Sequence, residues 1–119
     1  MKSFYAVLDC QSFSECPPSL QHLAIRSFCE QHNGEVSFYT CEDPLSLPYG
    51  VLKDQLPEIE TDGLCFFTTQ QCIQEGFDFP FLERLLPRWS VGFARENVWV
   101  TKENYKEVRP WLWREGHRE

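Results

Sequence analysis

The sequence lacks the motifs that mark the best-known catalytic and cofactor sites. It has no glycine-rich phosphate loop, no G-x-S-x-G nucleophile elbow, no H-E-x-x-H pattern and no C-x-x-C pair. Its three histidines have no ligand spacing relative to the cysteines. We therefore expect no cofactor and no structural metal site.

The sequence is also poor in positive charge and in long apolar runs. It has 11 lysines and arginines against 18 acidic residues, a net charge of −7. That balance argues against nucleic acid and anionic membrane surfaces as partners, because both attract a basic face. The apolar run from Phe4 to Leu8 is too short for a secretory signal or a membrane span. We expect a cytoplasmic protein.

Six cysteines in 119 residues leave two interpretations open. They could form disulfide bonds, as in small secreted proteins, or remain reduced in the cytoplasm. Cys29 and Cys65 lie within apolar patterns, where free cysteine behaves as a small hydrophobic residue. Together with the lack of a signal sequence, this favours reduced thiols.

Apolar segments with strand patterns alternate with segments of helical spacing. The predicted strands are SFYAVLD, EVSFYT, TDGLCFFTT and WSVGFA. The predicted helices run from Ser19 to near Asn33, from Val51 to Leu56 and from Phe79 to Leu86, followed by a helical C-terminal tail over residues 101–119 with a break risked at Pro110. This alternation predicts one α/β domain, a three-layer sandwich with a four- to five-stranded, mostly parallel sheet.

The segment VGFARENVWV, residues 91–100, places three polar residues between two apolar runs. An unpaired buried charge costs several kcal/mol, so Arg95 and Glu96 need a partner or access to water. Either the strand ends at Ala94 and re-forms after a polar bend, or the polar residues line a site.

Ligands of open parallel sheets bind beyond the carboxyl ends of the strands, where the strand order reverses. Three loops should meet there, after the first, third and fourth predicted strands. We predict Asp9 and Glu96 as an acid–base pair. The predicted ligand-binding residues are Gln21, Arg26, Gln70, Arg95 and Asn97.

Each candidate also has a structural interpretation. In this interpretation Asp9 caps a turn, and Gln70 is an ordinary solvated loop residue. Arg95 and Glu96 then form a surface ion pair worth less than about 1 kcal/mol.

The run YAVLDCQSFSECPPSLQHLAIRSFCEQHNGEVSFYTCED resembles the start of the catalytic domain of serine recombinases. The resemblance implies a resolvase- or flavodoxin-like fold. In that family a serine and an arginine in the first strand attack DNA, but Asp9 and Val7 occupy the matching positions here. The resemblance therefore supports the fold and argues against the activity.

Three further blocks, PPSLQHLAIRSFCEQHN, LPEIETDGLCFFTT and FARENVWV, resemble the sporadic carbohydrate cluster family. The resembling residues are Gln21, Arg26, Cys29, Asp62, Gly63, Glu96 and Asn97. The family is encoded among genes for surface polysaccharide and lipopolysaccharide sugars. The first loop departs from it, since CQSFSECPP stands where a glycine- and arginine-rich stretch is expected.

Two functions follow as the main hypotheses. The resemblance implies a protein of cell-envelope carbohydrate biosynthesis that binds or modifies a sugar or nucleotide-sugar. The alternative is a non-catalytic scaffold or protein-interaction module that docks through Trp111 and Trp113 in the C-terminal tail, with a homo-oligomer as one such assembly. A recombinase relative with residual DNA binding ranks third.

Overall fold

The computed structural model describes residues 2–9, 16–42, 60–73 and 76–117, and of Asp9, Cys41 and Glu42 only the backbone. Its strands are β1 (Lys2–Asp9), β2 (Gly34–Glu42), β3 (Gly63–Phe66), β4 (Ser90–Phe93) and β5 (Val98–Val100). They form one sheet in the order β2-β1-β3-β4-β5. Strands β1 to β4 are parallel, and β5 runs antiparallel to β4. The predicted α/β fold with a mostly parallel sheet is confirmed.

Three α-helices accompany the sheet in the described part of the chain. They are α1 (Pro18–Gln31), α2 (Phe79–Leu85) and α3 (Tyr105–Gly116), and a short 3-10 helix spans Thr69–Cys72. Pro18 opens α1, where its missing N–H is not needed, and Asn33 follows the helix with a φ of 59°. The helix predicted from Val51 to Leu56 lies outside the described residues.

The C-terminal helix begins later than the tail pattern predicts. Thr101 and Asn104 exchange hydrogen bonds, Thr101 N to Asn104 Oδ1 at 2.7 Å and Asn104 N to Thr101 Oγ1 at 3.2 Å. These local bonds favour a turn over residues 101–104, so α3 starts only at Tyr105. The break risked at Pro110 does not occur, because α3 continues through that residue.

Each face of the sheet has its own apolar core. One face packs against α2 and α3 and includes Val7, Phe66, Phe93, Leu82 and Leu112, all nearly inaccessible to solvent. The other face packs against α1. Because side chains alternate along a strand, neighbouring residues of β1 point to opposite cores. This arrangement of helices on both faces matches the predicted sandwich.

An aromatic cluster on the α1 face requires a residue without a side chain at position 92. The Trp99 ring lies against Phe4, Phe28 and His32, with ring-centroid distances of 5.1, 5.7 and 5.2 Å. Trp99 and Gly92 are register partners in β5 and β4. A Cβ atom at Gly92 would stand 2.5 Å from the rings of both Trp99 and Phe28.

We expect Gly92→Ala to lower the free energy of unfolding by about 1–3 kcal/mol, because the added methyl group overpacks this cluster. Urea denaturation measures the effect. In a Trp99→Leu background, Gly92→Ala should lower the free energy of unfolding by less, because the added methyl group then meets a smaller side chain. An unchanged unfolding midpoint for Gly92→Ala would contradict the packing described.

Tyr105 connects the start of α3 to α2. Its hydroxyl donates a hydrogen bond to Glu83 Oε2 at 2.6 Å. Burial, and then this hydrogen bond, raise the pKa of Tyr105 to about 12, from an ordinary value of 10.0. The folded protein therefore holds the phenolic proton more tightly than the unfolded chain does.

The stabilisation from Tyr105 should be fully present below pH 10 and be lost as the pH rises to about 12. Tyr105→Phe should be less stable than the wild type at pH 8, and this difference should shrink between pH 10 and 12. Urea denaturation at several pH values tests the prediction. Tyr39→Phe is the control because Tyr39 is exposed. A difference that does not change with pH would argue against the assigned role.

Candidate functional site

The polar residues between β4 and β5 form a hairpin turn at the carboxyl edge of the sheet. Phe93 pairs with Val98, which leaves residues 94–97 as the loop. Asn97 N donates to Ala94 O at 3.2 Å, and Asn97 has a φ of 57°, a conformation that asparagine tolerates. Of the two interpretations of this segment, the strand break is observed, and it directs Glu96 toward a neighbouring loop.

The carboxylate of Glu96 is held by the loop that follows β3. Its Oε2 accepts from Thr68 Oγ1 at 2.6 Å and from Thr69 Oγ1 at 3.1 Å, while its Oε1 accepts from Thr69 N at 3.1 Å. Both threonines are buried, and Glu96 is half-buried. Hydrogen bonds to an ionised carboxylate are stronger than neutral ones, so they fix the orientation of Glu96.

The same loop is also connected to β1 through a buried glutamine. Thr68 N donates to Gln71 Oε1 at 2.9 Å, and Gln71 Nε2 donates to Val7 O at 2.9 Å. Thr68 Oγ1 accepts from Gln70 N at 3.4 Å, which completes a capping box at the start of the 3-10 helix. The carboxyl ends of β1, β3 and β4 are thereby joined in one network, which we call the edge network (Val7, Thr68, Thr69, Gln71 and Glu96).

The edge network lies where ligands of such sheets bind. The strand order reverses at β1, since α1 leads to β2 on one side while β3 lies on the other. The carboxyl ends of β1 and β3 meet next to this point. The fold and the network therefore define an α/β protein with an oriented carboxylate beside its topological switch point.

Asp9 ends β1 at this same edge, as predicted. Strand β3 separates β1 from β4, so the two backbones are about two strand spacings, roughly 10 Å, apart. The Asp9 side chain is not among those described. The acid–base pair of Asp9 and Glu96 thus stays a prediction.

Two of the predicted ligand-binding residues differ from the others: one is inaccessible to solvent, and the other lies away from Glu96. Gln21 is fully buried, and its Nε2 donates to Cys16 O at 2.6 Å. Arg26 is exposed on α1, about 12 Å along the helix from its first residue. Because α1 begins at the carboxyl edge and runs back along the sheet, Arg26 lies away from that edge.

The other three predicted residues lie on the rim around the edge network. Gln70 is exposed in the 3-10 helix, and Arg95 and Asn97 are exposed in the hairpin. Arg95 N donates to Phe67 O at 2.8 Å, which fixes its backbone beside the end of β3. Their side chains are accessible to a ligand at this edge.

Sequence reasoning placed the loop with Thr68, Thr69 and Gln71 at this edge, but it did not predict that these residues orient Glu96. Thr68 and Thr69 are the last residues of the predicted strand TDGLCFFTT, and Gln71 follows it. The observed strand β3 ends at Phe66, and all three side chains are buried beyond its end. One signal was available: Thr68 and Gln71 have the spacing of a capping box. The hydrogen bonds to Glu96 had no such signal, since they connect residues 27 and 28 positions apart.

The two tail tryptophans have different surroundings. Trp111 is half-buried and packs against the core on the α3 side. Trp113 is 49% exposed and stacks on His117 with ring centroids 4.0 Å apart. Of the two residues through which an oligomer was predicted, Trp113 is the more accessible to a partner, and the oligomer stays a prediction.

No group of three or more metal-ligating side chains occurs among the described residues. None of the described helices is both long and apolar enough to span a membrane. The chain matches no protein-family model, and neither a curated protein nor a solved structure shows significant similarity to it. The likeness to the sporadic carbohydrate cluster family stays a prediction.

We expect Glu96→Gln to destabilise the protein by about 1–3 kcal/mol, because the amide NH2 must face at least one hydrogen-bond donor of Thr68 or Thr69. Chemical denaturation measures the change. Glu103→Gln is the matched control, since Glu103 is exposed and should change stability by less than about 0.5 kcal/mol. Equal losses in both variants would show that the edge network does not depend on the Glu96 carboxylate.

Proposed function

We propose that the carboxyl edge of the sheet binds a sugar or nucleotide-sugar, and that the protein acts in cell-envelope carbohydrate biosynthesis. The geometry of Glu96 supports the binding part of this proposal. The resemblance of three sequence blocks to the sporadic carbohydrate cluster family supports the biological setting.

The proposal depends above all on the acceptor capacity of Glu96. A carboxylate offers about four lone-pair positions. Three hydrogen bonds from Thr68 and Thr69 occupy three of them and prevent the side chain from rotating. Oε1 accepts one of these three bonds, so about one position remains on it, suited to accept a hydrogen bond from a ligand hydroxyl.

The rim residues fit the same class of ligand. Gln70 and Asn97 offer amide donors and acceptors, and Arg95 offers guanidinium donors. Sugar hydroxyls both donate and accept, so a mixed set of this kind can satisfy them. Arg95 would in addition suit the diphosphate of a nucleotide-sugar, because guanidinium groups bind phosphate with paired hydrogen bonds.

A thermal-shift screen with UDP-glucose, GDP-mannose and the corresponding free sugars tests the proposal. A ligand at 100 times its dissociation constant should stabilise the protein by about 2.7 kcal/mol and raise its Tm. Titration calorimetry should then show that Glu96→Gln binds the ligand at least about tenfold more weakly than the wild type does. Glu103→Gln should bind like the wild type.

Two results would contradict the proposal. Either no member of the screen shifts the Tm, or Glu96→Gln binds with unchanged affinity. The scaffold function would gain if, in addition, the protein were a dimer in solution that Trp113→Ala converts to a monomer, since Trp113 is the exposed tryptophan of α3.

A further inference from the structure

Strand β2 lies at the border of the sheet. Among the residues that the structure describes, it pairs with β1 on one side and with no strand on the other. The outer side of such a strand presents a row of backbone N–H and C=O groups, which match the edge of another β-strand. The chemistry of this border therefore favours a strand as its partner.

Two aromatic rings make this border apolar on both faces of the sheet. Phe38 is 62% exposed and Tyr39 is 66% exposed. The Phe38 ring stacks on Tyr5, with ring centroids 6.3 Å apart, and Tyr5 belongs to the core on the side of α2 and α3. The Tyr39 ring contacts His22 of α1 at 5.5 Å, so it lies on the opposite face.

The border at β2 has few of the features that protect edge strands from pairing. Protected edges are short, or they carry lysine or proline. Strand β2 has nine residues and contains neither, and its residues 36–40 carry no charge. A bulge at Ser37 interrupts it, but its pairing with β1 is regular from Phe38 onward. Strand β5, at the other border, has only three residues and is protected by its shortness.

Charge and symmetry favour a second copy of this chain as the partner. Two copies with a net charge of −7 repel each other unless they meet through an uncharged surface, and residues 36–40 supply one. The same residues offer no carboxylate to a basic peptide. A two-fold axis pairs identical strands in antiparallel orientation and closes the assembly at two copies.

The area available at this border is enough for a weak dimer. An aromatic side chain buries about 150–250 Å², so the exposed fractions of Phe38 and Tyr39 leave about 200–300 Å² together. A strand of nine residues is about 30 Å long and a sheet about 10 Å thick, so the strand edge adds about 300 Å². Two copies would bury about 1,000–1,200 Å² in total, the lower limit for a specific interface.

We propose that the protein forms a two-fold symmetric dimer by antiparallel pairing of β2 with β2 of a second copy. The two five-stranded sheets then continue into one another, and the rings of Phe38 and Tyr39 pack against the second copy. This inference does not depend on the proposed sugar binding, because the edge network belongs to the ends of β1, β3 and β4.

Sedimentation velocity over a range of concentrations tests the proposal. The wild type should change from monomer to dimer as its concentration rises. Phe38→Lys should weaken the dimer at least about tenfold, because it replaces an apolar ring with a charge that meets its own copy. Tyr39→Phe is the matched control, since it keeps the ring and should dimerise like the wild type. Trp113→Ala should also dimerise normally, which separates this surface from the C-terminal tail.

Hydrogen exchange of the wild type gives a second test that needs no variant. Backbone amides of β2 should exchange more slowly at concentrations where the dimer forms, because the outer N–H groups then donate to the second copy. Amides of β5, the other border strand, should exchange at the same rate at all concentrations.

The proposal is overturned if the wild type sediments as a monomer at every concentration. It is equally overturned if Phe38→Lys dimerises with unchanged affinity, or if the exchange of β2 amides does not depend on concentration. The exchange result decides the question even if Phe38→Lys fails to fold.

Discussion

The connection between Glu96 and the loop after β3 is the interaction on which the carboxyl edge of this protein depends. Where parallel strands end, backbone N–H and C=O groups no longer pair between strands and need other hydrogen-bond partners. Here one carboxylate accepts from two threonine hydroxyls and one backbone N–H. Gln71 extends the network to the backbone of β1. Besides these contacts, backbone hydrogen bonds from Ala94 N to Phe66 O and from Arg95 N to Phe67 O attach the hairpin after β4 to the end of β3.

The same contacts explain why a structural and a functional role for Glu96 are compatible. A ligand-binding carboxylate loses less conformational entropy on binding when its orientation is already fixed. The buried threonines supply that orientation, and Glu96 itself is only half-buried. A binding site requires that the side chain in contact with the ligand is held rigidly, as Thr68 and Thr69 hold Glu96. It also requires accessible polar residues around that side chain, such as Gln70 and Arg95.

Local sequence patterns predicted the elements whose burial is strong and continuous. The strand β3 and the helix α1 both appear where they were predicted, because β3 is buried at every position and α1 buries one face at helical spacing. The tail helix was less well predicted at its start. Two reciprocal hydrogen bonds between Thr101 and Asn104 compete with helix formation there, and tail periodicity does not reveal them.

The candidate site was predictable only in part, because sequence patterns show the order of the strands but not how each polar side chain packs. That the loops after β1, β3 and β4 share one edge follows from parallel topology, so Glu96 was placed correctly at that edge. That Gln21 is buried while Arg26 faces solvent away from the edge depends on how α1 rotates and packs. Spacing along a helix does not fix that rotation at polar positions.

The α/β class, the mostly parallel sheet and the edge at which polar loops gather could be predicted, because they follow from the period and order of apolar segments. Which polar groups at that edge form hydrogen bonds within the fold, and which face solvent, depends on how the elements pack. The packing of α1 on the sheet likewise places Cys29 and Cys65 in one buried apolar core. Hydrogen bonds and contacts between residues far apart in the chain have no periodic signature, so they become visible only once the elements are packed.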